Sequence, residues 1–189
     1  MYSKNFKNWI SIEDERRCVD CKKNHGKVYE MDSIPIPAPP LHLCCRCSIQ
    51  VMEAVAAGTA TSNGNNGADY WLMNFNQLPP YYIPIADARA AGWKARKGNL
   101  ATVAPNRMLT KGIYNNDDGH LPDAAGRIWY EADINYTSGR RGLERILYSN
   151  DGLVFITRDH YVTFIEVVIF EEIPDSQDYT NKEETNGEG

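Results

Sequence analysis

Residues 128–136 of the chain read IWYEADINY, and similar segments follow at 144–149 (ERILYS), 153–158 (LVFITR) and 161–170 (YVTFIEVVIF). All four are rich in the β-branched and aromatic residues that are typical of β-strands. Turn-forming residues separate them, so neighbouring segments can pair as antiparallel strands. The sequence therefore predicts an antiparallel sheet in the C-terminal half of this block.

Segments with helical character precede these strands. Residues 70–78 suit a short helix that ends at Pro79-Pro80, and residues 85–93 and 99–105 suit two more. Helices followed by strands predict the α+β class, with N-terminal helices packed on a C-terminal antiparallel sheet.

Composition divides the 189 residues into four parts. Residues 1–56 form a small Cys/His-rich module, and residues 57–68 (AGTATSNGNNGA) have the composition of a flexible linker. Residues 69–168 form a compact domain, and residues 169–189 form an acidic tail that we expect to be disordered. The net charge of −5 says little about the middle of the chain, because seven acidic residues and one lysine lie in the tail.

Strand alternation shows which side chains share a face of the predicted sheet. A strand that places Ala132 and Ile134 in the core must present Glu131 and Asp133 on the opposite, open face. Arg145 on the next strand can join the two carboxylates there. The ordinary interpretation of such a face is a solvated surface with ion pairs.

The same face also suits phosphoryl transfer at RNA. Arg141 lies in the turn between the two strands, and His160 ends the loop before the last one. A carboxylate can take the proton from a ribose 2′-hydroxyl, and an imidazolium can protonate the departing 5′-oxygen. Guanidinium groups can hold the phosphate whose charge grows in the transition state.

Three segments of this block resemble one known family. GWKARKGNLATVAPN (92–106), DGHLPDAAGRIWYEADINYTSGRRGLERILYSNDGL (118–153) and DHYVTF (159–164) are similar to the barnase-type microbial guanyl ribonucleases. The resemblance extends over residues 69–168. It implies an endoribonuclease that cleaves single-stranded RNA 3′ of guanosine, forms a 2′,3′-cyclic phosphate and then hydrolyses it, with no metal or other cofactor for catalysis.

The resemblance implies a role for each matching residue. Glu131 matches the general base and His160 the general acid. Arg141 and Arg145 match the pair that holds the phosphate. Asp133 matches the buried acid that orients this pair.

Base recognition is implied in the same way. Tyr161 matches the aromatic residue of the base subsite, and the guanine-recognition loop is matched by Asn115, Asn116, Asp117, Asp118 and Gly119. Arg127 and Asp151 match an ion pair whose role is structural.

Two positions depart from the family pattern. Ile85 stands where the family has an active-site lysine, and Asp117 stands where it has an arginine. An apolar side chain cannot bind phosphate, so we expect weaker transition-state stabilisation. Lys94, Arg96 and Lys97 are the candidates for compensating the lost charge.

All five cysteines lie between residues 18 and 47, close to two histidines. Such clustering with Cys-x2-Cys spacing is typical of a metal site rather than of a disulfide framework. The predicted tetrahedral zinc ligands are Cys18, Cys21, His42 and Cys45, with His25 and Cys47 as alternatives. Reduced cysteines without a metal are the competing interpretation.

The segment CVDCKKNHGKVYEMDSIPIPAPPLHLCCRC (18–47) resembles the Cys/His motif of phage head-morphogenesis (Mu F-like minor capsid) proteins. Together the two resemblances suggest a toxin that joins a ribonuclease to a phage-like structural piece. They imply RNA, a barstar-like inhibitor and phage capsid components as partners. The alternative is an inactive or weak ribonuclease-fold binding module of a phage structural protein.

Location follows from what the sequence lacks. It contains no apolar run of 18 residues that could span a membrane. Its N-terminus lacks the apolar region of a secretory signal. We therefore expect no membrane partner and a cytoplasmic or phage-particle location, with export only by a route that needs no signal peptide.

Overall fold

The computed structural model describes residues 1–170, and the strands of this part form one nine-stranded sheet. The strands follow one another in the order β2-β1-β3-β9-β8-β7-β6-β5-β4. Their bounds are β1 Tyr2–Ile10, β2 Val28–Glu30, β3 Ser48–Ala56, β4 Tyr82–Pro84, β5 Met108–Tyr114, β6 Trp129–Asp133, β7 Arg145–Ser149, β8 Val154–Thr157 and β9 Ile165–Val168.

Four short α-helices accompany the sheet: α1 Val19–Asn24, α2 Ala68–Phe75, α3 Ile85–Ala90 and α4 Leu100–Val103. The predicted α+β class is confirmed. α2 ends at Asn76, whose left-handed backbone (φ 52°) stops it before the expected Pro79-Pro80. No helix in residues 1–170 is long and apolar enough to cross a bilayer.

Strands β5 to β9 pair antiparallel in sequence order, as predicted for this part of the chain. Two other pairings are parallel, β4 with β5 and β3 with β9. The second of these joins the N-terminal module to the sheet, with Val55 opposite Val167. The predicted antiparallel sheet is thus confirmed for β5 to β9, and β3 and β4, which the sequence analysis did not predict, extend it through parallel pairings.

The last predicted strand is shorter than residues 161–170. Asp159 explains this difference, because its carboxylate accepts hydrogen bonds from the backbone N–H groups of Val162 and Thr163 and from the Thr157 hydroxyl. These bonds curl residues 159–163 into a loop and delay β9 until Ile165.

Apolar side chains cover both faces of the central strands. On one face α2 packs through Leu72 against Ile134, Ile146 and Ile156. On the other face Trp129, Leu147 and Phe155 form a second core with side chains from the N-terminal strands and the loops, namely Phe6, Val28, Met52, Leu121 and Phe164. The expectation that the Glu131 face is open is therefore wrong.

A strong curl of the sheet makes the second core possible. Phe6 on β1 lies edge-on to Phe155 on β8, with ring centroids 5.2 Å apart. Two strands, β3 and β9, separate these residues in the sheet order. The sheet must therefore bend toward this face, so that the N-terminal strands close over β6, β7 and β8.

Residues 57–67, within the stretch predicted as a flexible linker, adopt hydrogen-bonded turns. The Asp69 carboxylate is fully buried and accepts bonds from the Gly58 and Ala60 N–H groups and from the Thr61 hydroxyl. The small residues of this stretch thus form a tight, hydrogen-bonded connection and not a flexible linker. The division into two domains stays a prediction, and the tail predicted at 169–189 lies outside the described residues from 171 onward.

The N-terminal module touches the rest of the chain at a closely fitted backbone contact. Gly26 has φ +81°, and a Cβ there would lie 1.8 Å from the Val162 carbonyl oxygen. Beside it, the Val28 N–H donates to the His120 carbonyl over 2.7 Å. The module therefore rests on two loops, residues 115–121 and residues 159–163.

We predict that Gly26→Ala destabilises the protein more than a matched glycine substitution. Gly126 has nearly the same φ, +80°, but no atom within 4 Å of its virtual Cβ. Gly126→Ala should cost about 1 kcal/mol for the left-handed backbone alone. Gly26→Ala should lower the free energy of unfolding by at least about 2 kcal/mol more, because the methyl group meets a carbonyl oxygen. Urea unfolding measures both, and equal losses would contradict this contact.

Candidate active site

Strand β6 carries two buried carboxylates at the centre of the molecule. Glu131 and Asp133 are each about 1% exposed. They point to the same face because they are two residues apart in a strand. Buried carboxylates need charged partners, and a ring of cations surrounds this pair.

Arg141 and Arg145 supply two of these cations. Arg141 binds Asp133 through Nε at 2.6 Å and through Nη2, and its Nη2 lies 3.8 Å from Glu131 Oε1. Arg145 is opposite Asp133 in the β6–β7 register, and its Nε lies 3.4 Å from Glu131 and 3.3 Å from Asp133. That Nε has no well-directed hydrogen bond, so the contact is mainly electrostatic.

Lys111 supplies the third cation, which the sequence analysis missed. Its Nζ lies 2.9 Å from Glu131 Oε2, and its side chain is 44% exposed. A register shift between Thr110 and Gly112 marks a β-bulge in β5. Such bulges redirect side chains beside functional sites. The sequence did contain a signal for this bulge, the glycine that follows Lys111 within an apolar segment. A glycine inside a strand often marks a bulge, and Gly112 indeed has φ +79°.

Tyr161 donates a hydrogen bond from its hydroxyl to Glu131 Oε1 over 2.6 Å. Burial, together with this bond, raises the pKa of the Tyr161 hydroxyl, so it stays protonated and remains a donor. The Tyr161 ring stacks on that of Tyr114 at 5.5 Å. Burial and the neighbouring carboxylates of Asp118 and Glu131 raise the pKa of Tyr114 to about 12.

His160 lies at the edge of this group, in the loop that Asp159 organises. Its side chain is exposed and lines the same cavity as Glu131. His160 and Tyr161 have φ of +61° and +72°. Two successive left-handed residues that are not glycine are costly and typical of functional sites. The loop thus holds the imidazole toward the cavity at the expense of backbone strain.

The loop of residues 115–119 forms another wall of this cavity. Asn116 uses its side chain within the loop, since its amide accepts from the Leu121 N–H and donates to the Leu121 carbonyl. Asp118 and its neighbour Asp117 are exposed at the rim. Any contact of Asn116 with a base would therefore come from its backbone, while the two carboxylates are free to accept.

The cavity has a volume of about 630 Å³, which is within the range of ligand sites. Glu131, His160 and Tyr161 line it together with Lys111 and residues 113–118. Side chains of the N-terminal module, Arg17, Lys22 and His25, complete the wall. Asp133, Arg141 and Arg145 are not among its lining residues; Asp133 and Arg145 are buried.

Other predicted positions lie apart from the cavity. Ile85 packs with Ala88 and Leu100 in a third core. Its side chain therefore contributes no contact to Glu131 or Asp133. Lys94, Arg96 and Lys97, proposed to compensate for it, do not line the cavity either. Arg127 pairs with Asp151 at 2.9 Å, as predicted for a structural ion pair.

The Cys/His cluster forms a second candidate site in the N-terminal module. Cys18 caps α1, and its Sγ lies 3.1 Å from His42 Nε2. Cys21 lies 3.3 Å from the same nitrogen and 3.7 Å from Cys45 Sγ. The four side chains predicted as ligands therefore meet at Cys21. Sulfur ligands of a tetrahedral Zn²⁺ are separated by about 3.7 Å, given Zn–S bonds near 2.3 Å, so the Cys21–Cys45 distance and the donor types suit zinc. Cys18 and His42 form one compact group with Cys21, and Cys45 belongs to a second group that shares Cys21.

The structure separates the two alternative ligands. Cys47 groups with Cys21 and Cys45, whose ligand atoms all lie within 4.8 Å of one another, so it stays an alternative. His25 does not join the cluster. Its Nδ1 accepts from the Ser11 N–H at 3.0 Å, and its Nε2 lies 3.2 Å from a Glu13 carboxylate oxygen.

Comparison with known proteins places the chain in a family. A family model described as ribonuclease matches residues 65–168. A protein named Ribonuclease from Bacillus pumilus is 44% identical over 120 residues, which cover 64% of this chain and 74% of that protein. Another of the same name from Heyndrickxia coagulans is 45% identical over 108 residues, 57% of this chain and 99% of that protein. The chain belongs to the ribonuclease family.

A second family model matches the N-terminal part. It is described as Phage Mu protein F like protein and covers residues 1–50. Residues 51–64 separate the two matched segments, and Ala54, Val55 and Ala56 of this stretch pair with β9 of the ribonuclease segment. A family model thus matches each of the two segments whose resemblance the sequence analysis noted.

Proposed function

We propose that this protein is an endoribonuclease that cleaves single-stranded RNA 3′ of guanosine, without a catalytic metal, by transesterification and then hydrolysis. The observation that carries the proposal is the buried Glu131, which lies close to Lys111, Arg141 and Arg145 and lines a cavity together with His160. Membership of the ribonuclease family supports RNA as the substrate.

Glu131 acts as the general base in this proposal. It takes the proton of the ribose 2′-hydroxyl while the 2′-oxygen bonds to phosphorus. His160, as the imidazolium, protonates the 5′-oxygen whose bond to phosphorus breaks, which leaves a 2′,3′-cyclic phosphate and a free 5′-hydroxyl. Hydrolysis reverses the roles: neutral His160 takes a proton from water, and the Glu131 carboxylic acid protonates the 2′-oxygen.

Exposure separates the roles of the three cations. The Arg145 side chain is 6% exposed and lies between two carboxylates, so it acts mainly by holding their charge. Arg141 is 19% exposed and Lys111 44% exposed. These two can reach a phosphate oxygen, and Lys111 supplies a cation that Ile85 cannot. Asp133 positions Arg141 through its paired hydrogen bonds.

Guanine preference rests on the loop of residues 115–119 and the tyrosine pair. Tyr114 and Tyr161 offer aromatic surface on which a base can stack. Asp118 can accept from the N1–H and exocyclic amine of guanine, which adenine does not present together. Backbone N–H groups around Asn116 can donate to the base's O6.

We also propose a structural zinc ion in the N-terminal module, held by Cys18, Cys21, His42 and Cys45. When bound, the ion would cross-link the start of α1 to residues 42–45. The four side chains bring two distant segments together, which is the usual task of a structural zinc site.

The biological role we propose is that of a toxin delivered by, or built into, a phage-like particle. The match of residues 1–50 to a Mu F-like protein supports the phage connection. An inhibitor with an acidic surface of the barstar type would block the cavity by contacting the cations that line it, Arg17, Lys22 and Lys111. The expected location is the cytoplasm or the particle.

Cleavage of an RNA with a single guanosine tests the proposed reaction. Full-length protein in EDTA should yield a 2′,3′-cyclic phosphate at that guanosine, identified by mass spectrometry. Glu131→Ala and His160→Ala should each lower the rate by at least about 100-fold, the usual loss for a general base or acid. Asp123→Ala, which removes an exposed carboxylate outside the cavity, should act like wild type. RNA that stays intact at high protein concentration would favour the inactive binding module.

Lys111→Met tests the cation on the bulge. The substitution keeps the apolar stem and removes the ammonium group, so kcat/KM should fall by roughly 10- to 100-fold. Thermal stability should fall as well, because the buried Glu131 loses one of its charged partners. Lys97→Met, at an exposed position away from the cavity, is the matched control. Wild-type activity of Lys111→Met would show that Arg141 alone serves the phosphate.

Metal content tests the zinc site. Purified protein should contain one zinc per chain by elemental mass spectrometry, and Cys21→Ser should lose it, because Cys21 is shared by both ligand groups. Cys44→Ser should retain it, since Cys44 is exposed and outside both groups. Comparing Cys45→Ser with Cys47→Ser identifies the fourth ligand. Metal-free wild-type protein with the same stability would refute the site.

A further inference from the structure

We propose that the N-terminal module forms part of the RNA-binding cleft, with Arg17 and Lys22 as a phosphate subsite for nucleotides beyond the cleaved bond. This inference rests on the proposed ribonuclease function, but it concerns residues outside the segment that matches the ribonuclease family. It assigns the module a substrate-binding role within the same molecule.

The subsite lies in the wall of the catalytic cavity. Arg17 and Lys22 line the cavity that also contains Glu131 and His160. Lys22 is exposed on α1, and within residues 1–170 it takes part in no salt bridge. Arg17 is held by Glu13 at 3.1 Å and by the Ser11 hydroxyl at 3.3 Å. One cation is therefore free for an anion, and the other is oriented by a neighbouring carboxylate.

Charge within the cavity is divided between its walls. Asp117 and Asp118 belong to the recognition loop, where carboxylates suit the N–H donors of a base and repel phosphate. Arg17 and Lys22 belong to the N-terminal module. A polynucleotide presents bases and phosphates together, so a cavity with acidic and basic walls complements it better than it complements a free phosphate.

The module is fixed closely enough to serve as a wall. Gly26 meets the Val162 carbonyl without room for a side chain. His120 Nε2 donates to the His25 carbonyl over 3.1 Å, and the Val28 N–H donates to the His120 carbonyl. These contacts couple α1 to the loops that carry the proposed acid and the base-recognition residues. Binding groups held in place in this way lose little entropy when RNA binds.

Binding of an uncleavable RNA tests the subsite separately from catalysis. The probe is a fluorescent hexanucleotide with one guanosine and 2′-O-methyl groups, whose blocked 2′-oxygen cannot attack, compared with the corresponding dinucleotide. Fluorescence anisotropy of the full chain gives Kd for both at several salt concentrations. The test variant is Arg17→Ala/Lys22→Ala, and the matched control is Arg16→Ala/Lys23→Ala, which removes two neighbouring charges that do not line the cavity.

The preference for hexanucleotide over dinucleotide should fall about tenfold in the test variant, with a salt slope smaller by about 1.4 for two single-strand phosphate contacts. Lys22→Ala alone, at an exposed position, should give part of this effect even if Arg17→Ala perturbs folding. The control should bind like wild type. Equal losses in both double variants, or wild-type binding by the test variant, would overturn the subsite. Tight, Lys22-dependent binding without RNA cleavage would instead refute the proposed catalysis and leave the subsite standing.

Discussion

The two carboxylates buried on β6 set the main electrostatic constraint on this molecule. Removing an ionised carboxylate from water costs several kcal/mol unless close partners compensate. Glu131 and Asp133 are compensated by Lys111, Arg141 and Arg145, which come from a bulge, a turn and a neighbouring strand. Each of these elements must therefore be in place before the pair can be buried. The fold and the candidate chemistry depend on the same contacts.

The N-terminal module shares in this arrangement. Its strands extend the sheet through the parallel β3–β9 pairing, and Phe6 and Met52 enter the second core beside Phe155. The module covers the face that contains Glu131 without filling the cavity. A segment similar to a phage head protein and the segment that matches the ribonuclease family thus contribute strands to one continuous sheet. Residues of both segments line the same cavity, so the N-terminal module is part of the candidate site and not only an appendage to it.

Much of this could be predicted from local pattern. Alternation along IWYEADINY placed Glu131 and Asp133 on one face, and the β6–β7 register confirms that Arg145 is opposite Asp133. Cys-x2-Cys spacing identified a cluster whose side chains do come together around Cys21. These features depend on strand periodicity or on contacts over a few residues, which sequence reports directly. The roles assigned to the site residues stay predictions.

The sequence by itself determined the α+β class, which strand side chains lie on the same face of the sheet, and which acidic, basic and imidazole groups are present for the site. Tertiary structure alone decided that this face is buried, that Lys111 rather than Lys94, Arg96 or Lys97 reaches Glu131, and that His25 turns away from the cysteines. It also brought Arg17 and Lys22 to the cavity. The physical reason is that these outcomes depend on how a sheet curls and where a bulge falls, and both result from packing between segments far apart in the chain.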